Sequence, residues 1–144
     1  MFTHQGADWV GNQVTTTGIP FPYNAAAYPP LNDKAKGTWG ETNYYQYQKD
    51  GNEQAIRDKL QIVKNWAAKY YVPVICGEYG VYNKYADADS RCRYITAIRR
   101  NLKAMQMPGI LWDYNTNFSI FNGPPSIENL SNCMKQAIDY TAKK

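Results

Sequence analysis

Glu78 is the residue whose position most needs a reason. It closes the apolar run VPVICGE (residues 72–78), where Val72, Val74, Ile75 and Cys76 favour a buried strand. A carboxylate at such a place costs stability unless it is paired or put to use. A second run, GILWDYN (109–115), ends on Trp112, Asp113 and Tyr114. In parallel α/β folds ligands gather at the carboxyl ends of the strands, and in (β/α)8 barrels that face carries the catalytic groups. A carboxylate there can attack the anomeric carbon of a sugar or stabilise its developing positive charge, while an indole floors the pyranose. Glycosidase chemistry is what the pair suits. The plainer alternatives are an ion pair between Glu78 and a nearby Arg or Lys, and a core position for Trp112.

The elements that must hold these residues follow from periodicity. Residues 1–49 are broken by Gly6, Gly11, Gly18, Pro20, Pro22, Pro29, Pro30, Gly37 and Gly40, with tyrosines and tryptophans between them, and read as an aromatic-rich loop region. From residue 50 to 144 the order becomes helix, strand, helix, strand, helix. Asp50 and Glu53 resemble a capping box, and Ile56, Leu60, Val63, Trp66 or Ala67, and Tyr70 recur at helical spacing over 51–70. Asp87, Asp89 and Ser90 are cap candidates for a helix with the stripe Cys92, Ile95, Ile98, Leu102 and Met105. Ser126 is expected to cap a last helix facing inward through Ile127, Leu130, Met134, Ala137 or Ile138, and Thr141. Strands alternating with amphipathic helices predict parallel pairing through right-handed crossovers. Two strands leave raw edges and an uncovered face, so part of the sheet is missing.

Composition narrows the function. The 144 residues are 44% hydrophobic and 19% charged, as in a single globular domain. No apolar run approaches the roughly 20 residues of a membrane span, and the first residues lack the features of a signal peptide. The net charge of +4 is scattered, which argues against nucleic acid as a partner. Three cysteines without CxxC spacing argue against a disulfide framework and against zinc, and each reads as a small buried hydrophobe; no metal or cofactor is expected. The aromatic content, 15% with 13 Tyr and 4 Trp, suits sugar-stacking surfaces and ordinary cores alike.

Three segments together narrow the reading further: FTHQGADW (2–9), VICGEYGVY (74–82) and LWDYNTNFSIF (111–121). In this order and spacing they resemble glycoside hydrolase family 5, in particular its bacterial endoglucanases. The resemblance implies a (β/α)8 TIM barrel that cleaves β-1,4-glucans with retention. It makes Glu78 the nucleophile ending the seventh strand and Trp112 the sugar-contacting tryptophan ending the eighth. His4 and Trp9 would lie near the rim of the cleft as further substrate-binding residues. The family's Asn-Glu-Pro motif, which carries the acid/base glutamate, does not occur here, nor does its His-x-Tyr pair. Asn52-Glu53 is followed by Gln54 and opens a predicted helix, so Glu53 reads as a helix-start acid. Asp113 is the nearest local substitute acid, although strand alternation would turn it away from Trp112.

The chain therefore reads as the C-terminal part of a barrel, strands seven and eight with flanking helices, completed by oligomerisation into a homodimer. The expected activity is an endo-β-1,4-glucanase acting on a β-glucan polysaccharide; a catalytically silent carbohydrate-binding fragment and a purely structural piece are the alternatives. The resemblance implies an extracellular address for the parent family.

Overall fold

The computed structural model describes residues 2–5 and 16–140. Four α-helices and two strands run in the order α1 (Trp39–Asp50), α2 (Glu53–Tyr70), β1 (Cys76–Tyr79), α3 (Ala88–Ala104), β2 (Gly109–Leu111) and α4 (Asn132–Ala137), with short 3-10 turns between and before them. β1 and β2 pair in parallel across α3, as the alternating pattern predicts.

α1 lies inside the region expected to be loop. Its sequence, WGETNYYQYQKD, lacks an aliphatic stripe, yet Gly40, Tyr44 and Tyr47 recur at helical spacing and are its buried residues. Thr38 caps it by accepting a hydrogen bond from the Gly40 amide at 3.0 Å. The tyrosines of this half build a core. Tyr28 stacks on Tyr44 at 4.7 Å, and the hydroxyls of Tyr28, Tyr44 and Tyr47 donate to the carbonyls of Tyr44, Pro29 and Pro20. Each buried phenol has a partner, so this set of rings needs no ligand to explain it.

α2 begins at Glu53, capped by Asn52 rather than Asp50; the Asn52 side chain accepts from the Ala55 amide at 2.9 Å. Glu53 accepts from Arg100 and from Asn101 Nδ2 at 2.8 Å, which fastens α2 to α3 and holds its carboxyl below the usual range, with the Arg100 hydrogen bond as the main cause. Of the expected stripe, Ile56, Leu60 and Ala67 pack inward, whereas Val63, Trp66 and Tyr70 are exposed. α3 buries the predicted Cys92, Ile95, Ile98 and Leu102 and is capped by Asp87, which accepts from the Ser90 amide at 2.8 Å.

Both strands are shorter than their apolar runs. Residues 72–75 and 113–115 have no strand-to-strand bond among the described residues, and the sheet's second face leaves Ile75 62% and Ile110 55% exposed. The last helix starts later than expected: residues 127–129 form a 3-10 turn and Ser131, not Ser126, caps α4, although Leu130, Met134 and Ala137 are buried as the spacing predicts. Thr141 lies outside the described residues.

The cysteines correct the sequence reading. Cys92 and Cys133 form a disulfide between α3 and α4, with Cα atoms 6.1 Å apart, and Cys76 is free. An odd count does not forbid one pair; helix packing brings together two residues 41 positions apart.

Candidate active site at the carboxyl ends of the strands

A local irregularity in β1 aims Glu78. Cys76 pairs with Gly109 and Tyr79 with Leu111, so β1 advances three residues while β2 advances two. One extra residue reverses the alternation of side chains. Cys76 and Tyr79 therefore both pack toward the helices, and Glu78 between them is exposed on the strand end. Its carboxylate makes no hydrogen bond or ion pair among the described residues, so it is not the salt-bridged strand terminus that was the alternative.

Trp112 is fixed beside it through the backbone. The Trp112 amide donates to the Tyr79 carbonyl at 2.8 Å, one residue from Glu78. Gly80 lets the two chains come this close, since a Cβ there would overlap the Trp112 carbonyl oxygen. The indole is 45% exposed, which excludes the core alternative.

Glu78, Trp112 and His4 line one open groove of about 490 Å³, together with Thr3, Cys76 and Phe118. His4 Nδ1 hydrogen-bonds Thr3 Oγ1 at 2.7 Å, and its ring meets Phe118 edge-on at 5.6 Å. Loss of water around the ring lowers its pKa, which favours a neutral imidazole. Three of the four sequence-predicted site residues thus come together. Trp9 lies outside the described residues. Asp113 is turned to local use, accepting from the Thr116 amide at 2.8 Å and from its hydroxyl, and does not line the groove. Glu78 is the only carboxylate among the described lining residues. Among the described residues no cluster of His, Cys, Asp or Glu is arranged to hold a metal. Phe118 and Cys76 were not foreseen, although both stand within the motifs that carry the resemblance.

No family profile matches the chain. Over 138 residues it is 36% identical to Endoglucanase 3 of Fibrobacter succinogenes, a span covering 92% of this chain and 21% of that enzyme. An endoglucanase of known structure superposes with a TM-score of 0.64 at 24% identity, over 95% of this chain and 35% of its own. A hyperthermophilic endo-β-1,4-glucanase, solved in complex with substrate, gives 0.64 at 23% identity over 96% and 36%. The chain folds as about a third of a (β/α)8 barrel. The partial barrel expected from the three motifs is therefore what the neighbours show, and those neighbours are endoglucanases. This barrel piece spans 21% of the curated relative and about 35% of the solved chains.

Proposed function

We propose that the chain carries the nucleophile-bearing part of a glycoside hydrolase that cleaves β-1,4-linked glucan with retention. The observation that carries this reading is an exposed, unpaired carboxylate, Glu78, at a strand end in the same groove as an exposed indole, Trp112. Likeness to endo-β-1,4-glucanases supports the substrate class. Glu78 attacks the anomeric carbon while the glycosidic C–O bond breaks, and the departing oxygen takes a proton from a general acid. Water then cleaves the glycosyl ester, returning Glu78 as carboxylate.

The acid must stand about 5–5.5 Å from Glu78, and no second carboxylate lines the groove among the described residues. In this reading a second copy of the chain closes the cleft. The β1 edge left unpaired among the described residues, Ile75 and Ile110 on the bare sheet face, and Val63, Trp66 and Tyr70 on α2 are the apolar surface it would cover. Sedimentation at micromolar concentration is expected to show a two-chain species; a compact single-chain species would remove this part of the proposal. The Cys92–Cys133 disulfide supports an oxidising, extracellular compartment, where polysaccharide is found.

The deciding experiment is reducing-end release from carboxymethylcellulose, with the anomeric form of the first product from a soluble β-1,4-glucan followed by NMR. Release with the β anomer first is expected. The α anomer would overturn the nucleophile role of Glu78. No release, with glucan binding kept, would favour the second reading, a silent carbohydrate-binding piece, which the single carboxylate in the groove supports.

A further inference from the structure

The loops that follow the two strands hold a row of aromatic rings that starts at the cleft wall and runs outward from it. Phe118, on the cleft wall, lies 5.8 Å from the ring of Tyr82, and Tyr82 lies 6.2 Å from Tyr85. Exposure rises along this row, from 7% at Phe118 through a half-buried Tyr82 to 38% at Tyr85. Hydrogen bonds tie the inner part of the row to neighbouring segments. The Tyr82 amide donates to the Thr3 carbonyl at 2.9 Å, and the Asn83 amide donates to the Asn117 carbonyl at 2.7 Å. Asn83 Nδ2 reaches the carbonyls of Thr116 and Ser119 at 3.5 and 3.4 Å. Asn83 thus staples the loop after β1 to the loop after β2. A cation stands over one side of the outermost ring, with Lys84 Nζ 5.1 Å from the Tyr85 centroid.

We propose that Tyr85, with Lys84, forms a distal subsite for a pyranose of the same glucan chain, two ring steps outward from the cleft wall. The inference rests on the glycan reading of the cleft. A phenol that packs beside Tyr82 and stays exposed can offer an apolar face to the C–H face of a sugar, and the ammonium can donate to sugar hydroxyls. Such a subsite is occupied by a long oligosaccharide and never by a short one that fills the cleft alone. Chain-length dependence is therefore its signature.

The test is calorimetric titration of the full chain with β-1,4-linked glucose oligosaccharides of two and of six units. Tyr85→Ala is expected to raise the six-unit Kd roughly three- to tenfold and to leave the two-unit Kd unchanged. Tyr85→Phe, which keeps the ring and its packing on Tyr82, should bind as wild type. Equal six-unit binding by wild type and Tyr85→Ala would overturn the subsite, as would an equal loss at both lengths. Trp112→Ala, run alongside, separates the two readings. Loss at both lengths supports the cleft. No loss there, with a six-unit loss in Tyr85→Ala, removes Trp112 but keeps the subsite. Wild-type chain that binds neither length removes both.

Discussion

Glu78→Gln is expected to lower kcat on soluble β-1,4-glucan by a factor of roughly 10³ or more while leaving the melting temperature unchanged. The two halves of this expectation come from separate observations. An amide cannot form the glycosyl ester, so the covalent route closes. The carboxylate, however, is exposed and makes no ion pair or hydrogen bond among the described residues, so its neutralisation should shift stability by no more than about 0.5 kcal/mol. A residue holding the fold by its charge would give the opposite result, a lower melting temperature with catalysis lost only through unfolding. Glu78→Ala extends the test. The space freed by the side chain admits azide, whose attack on the anomeric carbon would yield a glycosyl azide of inverted configuration. Equal turnover by wild type and Glu78→Gln would sink the assignment, and so would azide without effect on Glu78→Ala combined with a fallen melting temperature.

What the sequence disclosed depended on whether a residue's role was local or set by a neighbour. The stripe Cys92, Ile95, Ile98 and Leu102 needed only helical periodicity, and α3 buries it as spaced. The placement of Glu78 and Trp112 at the strand ends was legible because each closes an apolar run, and the carboxyl ends of parallel strands are where ligands gather in such folds. The irregularity in β1 was not legible, since an extra residue in a ladder exists only relative to the partner strand. Counting alternation from Cys76 would have put Glu78 on the same side as the packed thiol. α1 was missed for a compositional reason: its inward face is Gly40, Tyr44 and Tyr47, and tyrosines among glycines look like loop until their hydroxyls are seen on backbone carbonyls. Val63, Trp66 and Tyr70 show the converse. Their spacing is right for a buried face, and they are exposed because nothing among the described residues covers that side of α2.

Removing the Cys92–Cys133 link, by reduction or as Cys92→Ala with Cys133→Ala, is expected to lower stability by about 4 kcal/mol, the chain-entropy value for a loop of this length. A small domain has only about 5–15 kcal/mol in all, so the melting temperature should fall by roughly 10 °C or more. α4 is six residues long and cannot persist without its packing. Apart from the disulfide it is held by burial of Leu130, Met134 and Ala137 and, just beyond its end, by exposed pairs from Arg99 and Lys103 to Asp139. Such surface pairs contribute about 0–1 kcal/mol each and cannot replace a covalent tie. When α4 leaves, the α3 stripe against which it packs is opened, and the same helix supports the strand that carries Glu78. Loss of turnover on heating should therefore come at a lower temperature in the reduced chain, in step with the circular dichroism transition. Thiol counting in denaturant decides whether the link exists: one reactive thiol, from Cys76, is expected before reduction and three after. Three before reduction, or a melting temperature indifferent to reductant, would show that α4 is held by its apolar face alone.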